Sequence, residues 1–287
     1  MSFVLWFLII AILLILAVGL TLSYFYARPV KLGETHSPDE YGLQFESIEF
    51  KARDGISLRG VWIPVENSDK AITILHGHGS SHDFDVYRAP ALHEAGFNVL
   101  LFDFRAHGRS DGKQMTFGFK ERWDVLGAIE FLHRRGMKHI GLLGFSYGGL
   151  AAMLTTPISP DVEAVISDGG PSRLMTGAAA WAAERGLPLW LTRAIAWLFF
   201  SVTSIRVGAN LFKYEPVRWV GKISPRPILF IHGDHDLFCA DFDDLYAAAQ
   251  QPKELWRLPD AGHTTASQLY PEEHTRRVID FFNRYVK

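Results

Sequence analysis

The sequence predicts an α/β fold: a mostly parallel central sheet with helices on both faces, a helical cap insertion, and an N-terminal transmembrane helix. Three observations carry this prediction. From Ala71 onward, short apolar runs of strand length alternate with stretches of helical period, the pattern of parallel strands joined by crossover helices. Polar clusters follow directly on those apolar runs, where such sheets bind ligands at the carboxyl ends of their strands. Finally, Phe3 to Leu22 carries no charge, over a length that lets a helix cross the ~30 Å hydrocarbon core of a bilayer.

Taken in order, residues 1–27 are expected to form a transmembrane anchor. Trp6, Tyr24 and Tyr26 sit near its ends, where interfacial aromatics belong. A cleaved signal is the rival, with Ala17-Val18-Gly19 and Thr21-Leu22-Ser23 as cleavage sites; the missing basic residue ahead of the run and its length count against it. A buried soluble helix is a third reading, opposed by apolarity all round. Arg28 and Lys31 follow the segment and nothing basic precedes it, which favours a cytoplasmic carboxy-terminal domain. Residues 28–42, with Pro29, Gly33, Pro38 and Gly42, read as a linker.

Residues 43–287 read as one domain. Leu43 to Ala52 alternates as a strand, and Asp54-Gly55 turns it into a partner over Ile56 to Pro64. Ala71 to Leu75 is a buried strand and Asp83 to Ala95 a helix closed by Gly96. Asn98 to Phe102 is a strand, and Phe119 to Arg135 an amphipathic helix stopped by Gly136. Strands follow at Ile140, Val162 to Ser167, Arg226 to Ile231 and Lys253 to Leu258, and Pro271 to Val286 closes the chain as a helix. Ser172 to Ile223 interrupts the alternation with helical, aromatic-rich sequence, read as a cap at about 172–223 over the site.

Among the 287 residues, 29 basic and 31 acidic side chains give a net charge of -2 with no basic run, which excludes nucleic acid as an expected partner. The single cysteine, Cys239, excludes an internal disulfide and a cysteine-rich metal site, and is expected as a small buried residue.

The chemistry gathers on Gly144-Phe145-Ser146-Tyr147-Gly148, between an apolar strand and a small-residue helix. A serine on that turn stands exposed above the sheet, and the glycines leave room for helix and strand to pass. A serine hydroxyl needs a base, and the base needs a group that fixes its tautomer. Asp236, in His232-Gly233-Asp234-His235-Asp236, and His263, in Asp260-Ala261-Gly262-His263, each follow a strand in the order serine, acid, histidine. Asp234 and Asp168 are alternative acids, and Asp236 has a plainer reading as a helix cap. The amides of His78 and Tyr147 are the expected oxyanion donors, with Gly77 and Gly79 letting the first loop approach. His76, His78, His82 and Asp83 also suggest a metal cluster, but the aspartate falls after the third histidine and that reading leaves Ser146 and His263 unexplained. Asp103 and Arg105 are expected to tie loops together near the site, and His107 to be a satisfied polar residue.

These motifs, His76-Gly77-His78-Gly79, Asp103 to Ser110, Gly144 to Gly148, His232 to Asp236 and Gly262-His263, resemble the α/β-hydrolase fold superfamily over about residues 43–287. Within it the chain is similar to serine-aminopeptidase-like and membrane-anchored esterase or acylglycerol-lipase-like proteins. The resemblance implies Ser146 as nucleophile, Asp236 as acid, His263 as base, the His78 and Tyr147 amides as oxyanion hole, and neither cofactor nor metal. The expected activity is hydrolysis of carboxylic esters with apolar acyl groups. A peptidase or amidase with the same triad and a non-catalytic binding protein are the alternatives.

Overall fold

The computed structural model of the chain describes residues 3–28, 31 and 33–287. Positions 1 and 2 of the expected anchor and 29, 30 and 32 of the expected linker lie outside the described residues, as do the side chains at 4, 8, 11, 12 and 15.

The strands are β1 (Glu46–Lys51), β2 (Ser57–Ile63), β3 (Lys70–Leu75), β4 (Asn98–Phe102), β5 (His139–Phe145), β6 (Val162–Asp168), β7 (Ile228–Gly233) and β8 (Lys253–Leu258). They form one sheet in the order β1-β2-β4-β3-β5-β6-β7-β8. The hairpin β1–β2 and the pair β2–β4 are antiparallel; every later pair is parallel. The Asp54-Gly55 turn is closed by the Ala52 amide donating to the Ile56 carbonyl at 2.8 Å.

Helix α1 (Phe3–Tyr26) leads the chain, followed by α2 (Ala89–Glu94), α3 (Glu121–Arg134) and α4 (Tyr147–Thr155). Then come α5 (Leu174–Ala183), α6 (Leu189–Val207), α7 (Phe242–Ala248), α8 (Ala266–Leu269) and α9 (Pro271–Tyr285). One face of the sheet packs Leu100, Phe102 and Leu142 against Leu126 and Ile129 of α3 and Leu150 and Leu154 of α4. The other packs Ile72, Ile74 and Leu101 against Leu92 of α2 and Val278, Phe281 and Phe282 of α9. Each such side chain, fully buried, contributes roughly 1.5–3 kcal/mol. The alternating faces of β3 and β4 thus feed two cores, as the unbroken apolar runs require.

The helix expected from Asp83 to Ala95 is split. Residues His82–Arg88 wind as a 3-10 turn, and only Ala89–Glu94 is α-helical. Pro90 stands in the first turn of α2; it has no N–H to continue a ladder from the preceding turn, so a helix begins there and does not run through.

The N-terminal expectation needs correction. Among the described residues no helix is long and apolar enough to cross a membrane. Residues Phe3–Tyr26 are helical, but the C-terminal part of that helix is not free all round. Gly19, Ser23 and Ala27 are buried. Arg206 of α6 donates to the Ser23 hydroxyl at 2.7 Å, and the Thr203 hydroxyl lies 2.9 Å from it. A run with no polar stripe in its sequence therefore conceals a docking face made of small residues. Its other side carries exposed Leu13, Leu14, Val18 and Phe25.

Residues 33–42 pack on the domain rather than hanging free. The Thr35 amide and hydroxyl donate to Asp83 at 2.7 and 3.0 Å, and Pro38–Tyr41 forms a 3-10 turn.

Candidate active site

Ser146 sits between β5 and α4 with φ 51° and ψ −110°, a conformation that costs a non-glycine residue about 1–3 kcal/mol and must be imposed by its surroundings. They impose it by contact. A Cβ on Gly148 would lie 1.9 Å from the Leu75 carbonyl oxygen, and one on Gly144 would lie 2.4 Å from the backbone of Gly148. The Ser146 amide donates to the Asp168 carbonyl at 2.8 Å. The turn is thus clamped between the ends of β3 and β6, with Ser146 half-buried.

The three side chains singled out from widely separated strand ends come together. His263 Nε2 is 2.7 Å from the Ser146 hydroxyl, and His263 Nδ1 is 2.8 Å from Asp236 Oδ2. The Asp236 carboxylate is fully buried. It also accepts from the Phe238 amide at 3.0 Å, so the capping reading and the histidine-orienting reading hold together. The Phe238 ring packs on the His263 imidazole with centroids 4.8 Å apart. The alternative acids are engaged elsewhere. Asp168 binds His274 Nε2 at 2.9 Å in the core, and Asp234 binds Arg257 Nε at 2.6 Å on the surface.

The loop after β3 approaches Ser146 closely: a Cβ on Gly77 would stand 3.6 Å from that of the serine. His78 lines the same cavity as Ser146, Tyr147 and His263. Burial lowers the pKa of its imidazole, against the nearby Tyr26 backbone, which works to raise it. The histidines of the proposed metal cluster have other partners. His76 Nε2 accepts from the Phe104 amide at 3.0 Å while its Nδ1 donates to the Gly77 carbonyl. His82 Nδ1 is 2.9 Å from Asp103 Oδ1. Against the desolvation that works to raise it, the His82 hydrogen bond and charge hold the Asp103 carboxyl down at about 2. Among the described residues, metal-type ligand atoms converge instead at His232, Asp236 and Cys239, within 4.8 Å of one another. There the carboxylate already serves His263.

His107 does more than fill space. Its Nε2 accepts from the Gly79 amide at 3.3 Å and its Nδ1 donates to the Arg105 carbonyl at 3.0 Å. Arg105 in turn forms paired bonds to Asp54 and Asp124. Burial, with His76 adding to it, pushes the His107 pKa down to about 3; the neutral ring is what lets it accept the Gly79 N–H.

Over the serine lies a cavity of about 540 Å³ with mostly apolar walls from α5, α6 and the Met115–Phe117 loop, a volume suited to a small organic ligand. Two of its walls were not read from sequence: Leu22 and Tyr26 of α1 line it as well.

The alpha/beta hydrolase family matches residues 74–280. The chain belongs to the alpha/beta hydrolase family. This hydrolase is 27% identical over 289 residues to the uncharacterized protein YfhR of Escherichia coli K12, covering 95% of this chain and 91% of that one. Over 129 residues it is 32% identical to the thiohydrolase apmlB of Arthrinium phaeospermum, 42% of each chain. Among solved structures, the Pyrococcus furiosus esterase Pf2001 is similar with a TM-score of 0.76 and 27% identity, covering 91% of this chain and 99% of that one. Family and neighbours together support hydrolase activity of the esterase kind.

Proposed function

We propose that this protein is a serine esterase acting on carboxylic esters with apolar acyl groups. The observation that carries the reading is the continuous chain of hydrogen bonds from Asp236 through His263 to Ser146, ending under an apolar cavity. In this reading Ser146 Oγ attacks the ester carbonyl carbon as His263 Nε2 takes its proton. The Tyr147 and His78 amides stabilise the oxyanion. The tetrahedral intermediate collapses, the leaving alkoxide takes the proton from His263, and the acyl group stays on Ser146. Water, deprotonated by the same imidazole, then attacks the acyl-enzyme and releases the acid. Asp236 keeps the Nδ1–H tautomer in place throughout and stabilises the imidazolium.

The acyl group is assigned apolar because the walls offer few polar partners beyond the reacting groups. We further propose that such esters are drawn from a lipid surface, as in acylglycerol-lipase-like proteins. The exposed Trp190 and Trp197 of α6 support this reading. Flotation of the full chain with phospholipid vesicles tests it, and recovery in the lipid-free fraction would refute it.

The enzymatic reading is tested with a fluorophosphonate, which should label wild-type protein on Ser146 and leave Ser146→Ala unlabelled. Equal labelling of the two would refute it. Parallel turnover of aryl esters, acyl thioesters and aminoacyl amides separates esterase from thioesterase and amidase; the expected order puts the esters first.

A further inference from the structure

The last turns of α1 do not merely lead into the domain. Leu22 and Tyr26 face the cavity that contains Ser146 and His263. Tyr26 lines that cavity beside His78, and the Ala27 carbonyl accepts from the Met115 amide at 2.8 Å. Met115 and Phe117 form the adjoining wall. That loop is held from its other side by Glu121, which accepts from the Thr116 and Gly118 amides at 2.7 and 2.8 Å. Tyr26 packs edge-on against Phe199 of α6, centroids 6.1 Å apart. Buried Ser23 ties the same turn to Arg206, whose other nitrogen reaches Gln114 at 2.9 Å. One helical turn thus touches α6 and the Met115 loop at once, and lines the cavity beside His78.

We infer that the C-terminal turns of α1 form the distal wall of the acyl subsite, and that Leu22 sets the length of acyl chain that fits above Ser146. The inference rests on the serine-esterase reading. It adds that an element outside the sheet-and-helix domain determines specificity. A rigid aliphatic side chain on a docked helix limits chain length because bulk added to a filled apolar site must displace its neighbours, and bulk removed leaves room for methylenes. Tyr26 acts differently: its ring packs on Phe199 and fixes the helix against α6.

The test uses the full chain in detergent micelles and a pair of alkyl fluorophosphonates, ethyl and decyl, each titrating Ser146 with loss of fluoride. In Leu22→Trp the ratio of decyl to ethyl labelling rates should fall by about tenfold relative to wild type. In Leu22→Ala it should rise, and this variant decides the matter should Leu22→Trp not fold. Leu14→Trp, on the exposed side of the same helix, should leave the ratio unchanged, which controls for partition of the decyl probe into micelles. Labelling of Ser146 by both probes with ratios within about twofold of wild type in the Leu22 variants would overturn the inference and leave the hydrolase reading standing. Failure of both probes to label Ser146 in wild type would overturn both.

Discussion

Two joints hold this molecule's cavity, and they are built differently. At the serine turn, backbone meets backbone: a Cβ on Gly148 would fall 1.9 Å from the Leu75 carbonyl oxygen. At the junction of α1 with α6, backbone meets side-chain ends: a Cβ on Gly19 would fall 2.9 Å from Leu198 Cγ and 3.3 Å from a methyl of Val202. Neither strand nor helix can retreat at the first joint without breaking the sheet, whereas rotamers can shift at the second. On the proposed reading, the chemistry stands on the joint that cannot give, and the walls of the acyl subsite on the joint that can.

The sharpest way to break this contrast is at the rigid joint. His263→Ala should lower kcat/KM for an aryl ester by roughly 10⁴-fold or more while thermal unfolding stays near wild type. A loss below about tenfold would mean the hydrogen-bonded chain is not the working group. Gly148→Ala should fail structurally rather than chemically, with a loss of about 3 kcal/mol or more, or no soluble protein, read from denaturant unfolding.

Acid tests the loop beside that joint. His107 is neutral in the fold, with its pKa at about 3, against about 6.5 when unfolded. Its contribution is therefore complete above about pH 6.5 and declines as pH falls from there toward 3, because the unfolded chain takes up the proton first. The slope for one such group is about 1.4 kcal/mol per pH unit. His107→Gln keeps a donor and an acceptor without titrating. It should flatten the fall of Tm between about pH 6 and pH 4 but not abolish it, since buried His76 is lowered by the same cause. An unchanged slope would mean that His107 charges inside the fold.

How much of this was legible depends on how far each contact reaches along the chain. The strands were readable because a buried parallel strand is a local apolar run. The glycines around Ser146 were readable as a motif, although only the reason for Gly144, whose Cβ would meet Gly148, is local; Gly148 answers to Leu75 on a distant strand. The meeting of Asp236 and His263 with Ser146 was readable because strand ends bring side chains together whatever their separation. The uses of Asp168 and Asp234 were not: His274 and Arg257 compete for them across 106 and 23 positions, respectively. Least legible was α1. A helix that presents Gly19, Ser23 and Ala27 to a partner some 180 positions away looks, in sequence, like one that meets only lipid, since small residues leave no polar stripe.

The gentlest prediction measures how soft the second joint is. Gly19→Ala adds helix propensity, about 1 kcal/mol in favour of the folded helix, and asks Leu198 to move by a few tenths of an ångström. The two effects oppose each other at similar size, so Tm should shift by no more than a few degrees in either direction. Ser23→Ala lies one turn further on and gains less in compensation, roughly 0.5 kcal/mol of helix propensity. It removes the hydroxyl that takes Arg206 at 2.7 Å in a fully buried position, and should cost about 1–2 kcal/mol. If Gly19→Ala proves as damaging as Gly148→Ala, then α1 is clamped as rigidly as the serine turn, and the division between a fixed chemical centre and an adjustable wall has to be abandoned. If Ser23→Ala is silent in Tm yet alters acyl selectivity, the wall moves more freely than its hydrogen bonds suggest, and α6 rather than α1 sets its position.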